Sequence, residues 1–192
     1  MRARNRLALA AIAGVTTSLT MLAAPASAKV LFREEFREPI FRTERNFCDV
    51  TGLDVQLDGY VEGRVLITSR KRDAPPYFMQ HEVVRLTYTN EATGQSVTEV
   101  VRTLNKDLKI TDNGDGTLTI LVLATGNATT YGADGKAIAR NPGQVRFEIL
   151  IDHSGTPTDP SDDKFLEFLG FVKESTGRTD DFCAAVVPAL RS

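Results

Sequence analysis

The stretch Asp112-Asn113-Gly114-Asp115-Gly116 constrains what this chain can fold into more than any other. Asn-Gly and Asp-Gly supply the positive φ angles of tight hairpin turns, and β-branched residues crowd both flanks. Val97 to Leu104 and Leu108 to Thr111 lead in, and Thr117 to Leu123 leads out. The pattern predicts a hairpin in the middle of an all-β sheet.

Flanking segments use the same grammar. Val55 and Leu57 alternate with Asp54, Gln56 and Asp58, which marks a half-buried strand. Asp58-Gly59 reads as a turn, followed by a strand from Tyr60 to Thr68. Phe78 to Thr89 places Val84, Leu86 and Tyr88 on one face, and Asn90 to Gly94 forms the next hairpin loop. Asn141-Pro142-Gly143-Gln144 reads as a type II turn ahead of the alternating Val145, Phe147, Ile149 and Ile151. Phe165 to Val172 is densely apolar and reads as a strand covered on both faces. Two loops stand out: Ser69 to Pro76, basic and ending in a double proline, and the polar segment Asp152 to Lys164, which holds two more prolines. Thr179 suits a cap for a short helix from Asp180 to about Val187, stopped by Pro188.

Seven or eight strands joined by tight turns, with no long helix between them, predict an all-β fold: an antiparallel up-and-down, barrel-like domain with a short C-terminal helix. A β-sandwich is the alternative. Closure is attractive because it removes exposed edges.

The first 28 residues carry a different signal. Arg2, Arg4 and Arg6 precede an apolar, Ala-rich run from Leu7 to Leu22, and Ala26-Ser27-Ala28 is a small-x-small cleavage site. Residues 1–28 therefore read as a signal peptide, cleaved after Ala28, for a secreted, extracellular protein. A transmembrane anchor is disfavoured because Thr16, Thr17, Ser18 and Thr20 interrupt a run already short of the roughly 20 residues a span requires. Residues 29–47 read as an N-terminal arm, with Phe32 and Phe36 four apart on one or two helical turns ending before Pro39. Residues 48–192 read as a single all-β domain.

Removing 28 residues from 192 leaves 164, one domain's worth. Three of the 23 basic residues lie in the leader, so 20 bases against 25 acids give a mature charge of −5. That mildly acidic balance, with no basic block, argues against nucleic acid and anionic membrane surfaces as partners. The two cysteines, Cys48 and Cys183, suggest one disulfide in an exported chain, with two free thiols as the rival reading.

A series of turn and cysteine signatures resembles a group of small exported actinobacterial proteins with no assigned activity. The series runs from Asn46-Phe47-Cys48 through Thr89-Asn90-Glu91-Ala92-Thr93-Gly94 and Asp112-Asn113-Gly114-Asp115-Gly116-Thr117 to Asp181-Phe182-Cys183 and Leu190. The resemblance spans roughly residues 47–190 and implies an exported all-β domain with a Cys pair near its ends. It transfers no catalytic residue. Many similar members carry Gly after the first Cys, where this chain has Asp49.

Chemistry-bearing motifs are weak. G-x-S-x-G is absent, and the adjacent Asp152-His153-Ser154 cannot make a triad, whose members come from separate segments; His153 reads as a surface loop residue. No metal site is assigned: His81 and His153 have no paired spacing, the Asp112 to Gly116 turn puts Gly where a calcium loop needs oxygen ligands, and the loop with Asp159, Asp162 and Asp163, a second weak calcium candidate, reads as a solvated acidic loop. Glu62, Glu82, Glu99 and Glu148 lie in predicted strands, with outward-facing carboxylates preferred over an acid–base pair. No cofactor and no catalytic residue is assigned. Three functional classes stay open: a non-catalytic secreted binding module for a small, partly apolar ligand, an extracellular structural or protein-interaction domain, and a cyclase- or isomerase-like barrel enzyme. For the first, Val84, Leu86 and Tyr88 are the expected cavity-lining residues.

Overall fold

The computed structural model describes residues 28–192. The leader assignment, residues 1–28, lies outside the described residues except for Ala28.

Seven strands form one antiparallel sheet in sequence order: β1 (Lys29–Glu44), β2 (Val55–Ser69), β3 (Tyr77–Asn90), β4 (Ser96–Asp112), β5 (Thr117–Tyr131), β6 (Ala137–Asp152) and β7 (Lys164–Lys173). One helix follows, α1 (Phe182–Arg191). The Asp112 to Gly116 turn joins β4 to β5 at the centre of the sheet, as its chemistry predicts. Asp112 Oδ1 accepts from Gly114 N at 2.8 Å, and Asp115 Oδ1 accepts from Thr117 N at 3.0 Å.

The sheet is neither closed into a barrel nor stacked on a second sheet, because β1 and β7 are both free edges. The edges are blunted by other means. β1 carries Arg and Glu of both signs interspersed along it with Pro39 in its middle, and β7 is bulged three times against β6. Charge, proline and bulges are the usual devices that keep an edge from pairing further.

Four local expectations fail for physical reasons. Lys29–Glu44 is a strand, not an arm of helical turns, because its long pairing with β2 outweighs the local Phe32–Phe36 spacing. Asp58-Gly59 lies inside β2: a Cβ on Gly59 would sit 1.9 Å from the Arg85 carbonyl oxygen, so this glycine permits close strand approach. Asn141 to Gln144 lies inside β6, where Pro142 is tolerated because β7 pairs with β6 only from Arg146 onward. β7 is an exposed edge, with Phe165 65% exposed. Its sequence repeats every three residues, Phe-Leu-Glu, Phe-Leu-Gly, Phe-Val-Lys. Each repeat spends one extra residue against β6, which is what the bulges are.

The two apolar ends of one sheet face organise the domain. At one end Val55 and Leu57 of β2, Tyr88 of β3 and Val97 of β4 pack with Val186 and Leu190 of α1. Asp181, and not Thr179, caps α1, its side chain accepting from Ala184 N, and the helix runs past Pro188 to Arg191. Its last turn is anchored by the β3–β4 loop: Asn90 Nδ2 and Thr93 Oγ1 both donate to the Leu190 carbonyl, which satisfies an acceptor left over at the helix end. Cys48 and Cys183 form a disulfide across 135 residues, tying α1 to the turn before β2. At the other end Leu118 and Ile120 of β5 and Ile151 of β6 make a second cluster with Ile110, Val122 and Ile149. No helix among the described residues is long and apolar enough to cross a membrane.

Candidate functional site

Val84, Leu86 and Tyr88 do share one face of β3, the face on which α1 lies. The helix fills the space above Tyr88. The ring is 7% exposed and lies 5.5 Å from Phe47 and 5.6 Å from Phe182, centroid to centroid. Its hydroxyl donates to Glu99 Oε2 at 2.8 Å. Burial first, and the neighbouring Glu99 carboxylate second, push the phenol well above its ordinary range, so it stays a proton donor. Leu86 is packed against the same core.

A cleft lined mainly by apolar side chains lies at the opposite end. A cleft of about 520 Å3 receives Ile67 from β2, Phe78 from β3, Asp107 and Ile110 from β4, Leu118, Ile120 and Val122 from β5, Phe147, Ile149 and Ile151 from β6, and Phe165 from β7. Strands two and seven of a sheet can line one cleft only when the sheet curls around it. The sheet is open, and its curl shapes a half-open apolar cleft. Pro75 and Pro76 of the β2–β3 loop and Pro157 and Pro160 of the β6–β7 loop form the rim. The second loop is pinned by its own hydrogen bonds: Thr156 N to His153 O at 2.8 Å, Asp159 N to Thr156 O at 2.9 Å, and Ser154 Oγ to Asp162 O at 3.1 Å. Fixed proline walls reduce the ordering cost of taking up a ligand.

Few polar side chains reach this lining: Asn105, Asp107 and Asp163. Asp107 sits at a bulge, since β4 places Leu108 as an extra residue between the pairs Asp107–Val122 and Lys109–Leu121. The β3–β4 ladder stops at Met79–Lys106, and the Asp107 side chain takes over from it, Oδ2 accepting the Phe78 N–H at 2.8 Å. Burial among apolar neighbours raises the Asp107 carboxyl to about 6, with the Phe78 N–H and Arg70 opposing that rise. Asp163 is also raised, by burial first and then by the negative charge of Asp162.

The sequence contained two signals for this site. The prolines of both loops were visible, but nothing local shows that they meet. Alternation along β4 also breaks after Asp107, which is how a bulge reads in sequence, and bulges re-aim side chains.

Other candidate groups are engaged elsewhere. Among the four strand glutamates, Glu82 and Glu99 lie on the α1 face and not outward, accepting from Gln80 and Tyr88 respectively. Glu62 lies on the opposite face, 3.7 Å from Arg37. His153 is buried, not a surface residue, and its Nδ1 has no hydrogen-bond partner among the described residues. Ser154 Oγ is turned to the Asp162 carbonyl, so the adjacent Asp152, His153 and Ser154 build no nucleophile. Compared with known protein families, with curated proteins and with solved structures, the chain has no match.

Proposed function

We propose that this chain is an exported, non-catalytic module that binds a small, largely apolar molecule in the cleft lined by β2 to β7. One observation carries the reading: six strands and four loop prolines converge on a single apolar space of ligand size, with a few polar groups at its margin. The Arg-rich leader, the Ala26-Ser27-Ala28 triplet and the resemblance to exported actinobacterial proteins support export. The binding role moves from Val84, Leu86 and Tyr88, of which Leu86 and Tyr88 pack in the core with α1, to residues at the other end of the same sheet face.

A neutral apolar fluorescent probe tests it. Native protein is expected to bind one equivalent. Val122→Phe, which fills the cleft, is expected to weaken binding at least about tenfold, whereas Leu169→Ser on the exposed edge leaves it unchanged. Loss of probe binding in Leu169→Ser alone would place the probe on the surface and remove the reading.

A second reading, an extracellular protein-interaction domain, is favoured by β7. Phe165, Leu166, Phe168, Leu169, Phe171 and Val172 keep between 44% and 65% of their surface exposed. With about 150–250 Å2 for a whole aromatic side chain, the strand offers on the order of 500 Å2. A symmetric pair of copies then reaches roughly the 1,000 Å2 that a specific interface needs. The occupant that fits is a second copy, packed side chain against side chain, since the bulged backbone of β7 is not suited to pair further. Sedimentation should show a dimer that Leu169→Glu converts to monomer; a native monomer at high concentration removes this reading.

A further inference from the structure

The cleft is lopsided in charge. Two of its lining residues ionise, Asp107 and Asp163, both are acids, and no Lys, Arg or His lines it. We propose that the cleft takes an organic cation, an ammonium group on an aliphatic or aromatic body, with the charge held at Asp107 and Asp163 and the body against Val122, Phe147 and Ile149. The inference deepens the binding reading above and rests on it.

Geometry supports the assignment first. Asp107 spends Oδ2 on the Phe78 N–H, and its Oδ1 has no hydrogen-bond partner among the described residues. Phe78, Phe147 and Phe165 share the lining, and aromatic faces attract cations as well as apolar bodies. Energetics points the same way. Both acids resist ionisation because their surroundings solvate charge poorly. A bound cation relieves that cost, a neutral ligand leaves it, and an anion adds to it.

The surrounding charges do not reverse this. Arg70, the first residue after β2, opposes the rise at Asp107 but does not line the cleft, its guanidinium being stacked 3.6 Å from the Tyr77 ring centroid. Around Asp163 stand Asp152, Asp159 and Asp162 from β6 and the following loop, against His153 alone on the other side. The carboxylates around Asp163 make the β6–β7 side of the mouth negative, opposite the β2–β3 loop that carries Arg70, Lys71 and Arg72.

Three probes with the same body and different heads separate the possibilities: phenylbutylamine, phenylbutanol and phenylbutyrate, titrated calorimetrically into the native full domain. At about pH 7.5 the amine is expected to bind about tenfold tighter than the alcohol, with the butyrate weakest. At about pH 5 the preference should shrink, because Asp107 then holds a proton that the cation must displace. Asp107→Asn keeps an acceptor for the Phe78 N–H. It should abolish the preference for amine over alcohol while leaving alcohol binding within about twofold. Asp163→Asn should reduce the preference in part, and it serves as the test should Asp107→Asn fail to fold. An alcohol or butyrate that binds as tightly as the amine overturns the inference and leaves the binding reading standing. So does an amine preference that survives both substitutions. If none of the three binds, the binding reading falls and takes this inference with it.

Discussion

The Tyr88 hydroxyl donates to Glu99 across the β3–β4 pair at 2.8 Å, beneath α1 and next to Phe47 and Phe182. This is a structural bond inside a filled core. Tyr88→Phe leaves the packing intact and is expected to cost about 1–2 kcal/mol, since the half-buried Glu99 loses its donor. Tyr88→Ala removes the ring as well and should cost about 3–5 kcal/mol. Urea unfolding of both variants measures the difference, and neither should change probe binding at the distant cleft.

Cys183→Ala is expected to lower stability by about 2–5 kcal/mol, the scale for a native disulfide closing a long loop. The sheet's ladder does not depend on α1, so far-ultraviolet circular dichroism at low temperature should keep its strand signal. A free-thiol assay on native, unreduced protein should read zero for the pair.

Asp49 adopts a φ of 60°, and Cys48 before it a φ of 55°, both in the left-handed region. Asp49→Gly relieves a side chain held in that region and should raise stability by about 0.5–1 kcal/mol, read as a higher urea midpoint with an unchanged slope.

Gly59→Ala should do the opposite. Its new methyl would collide with the Arg85 backbone, which belongs to the neighbouring strand and cannot move without breaking the ladder. A loss of at least about 3 kcal/mol is expected by thermal melting, typical of steric strain in a closely packed core.

Asp107 gives the protein a pH signature. Its folded carboxyl titrates at about 6, above the ordinary 3.8, so the folded state holds the proton more tightly than the unfolded chain. Stability from this group is therefore full below about pH 4, is lost as pH rises through the interval to about 6, and stays lost above it. Asp107→Asn should match the native protein near pH 4 and exceed it by about 1–2 kcal/mol near pH 8, after allowance for partial solvent screening. Melting curves across that range provide the check.

The all-β class and the hairpins from β3 to β5 followed from local chemistry, because turn residues such as Asn113-Gly114 and Asn90 to Gly94 act within a few positions. The failures share one cause. Gly59 and Pro142 have the same local look as turn residues, and only the neighbouring strand decides whether the chain turns or runs on. Tyr88 was placed on the right face by parity, but the helix that covers it comes from 94 residues further on, and no periodicity in β3 announces a cover. The cleft was least legible. Ile67, Val122, Ile149 and Phe165 meet only because the sheet curls, and the curl is a property of seven paired strands together.

Isoleucine methyl groups offer the most direct measurement of the central claim. Ile67, Ile110, Ile120, Ile149 and Ile151 all line the cleft, whereas Ile40 on β1 and Ile138 near α1 do not. In a methyl-labelled sample titrated with phenylbutylamine, the account predicts saturable shifts at the five cleft methyls, with Ile40 and Ile138 unmoved. Shifts at Ile138, or unsaturable drift at all seven alike, would contradict it.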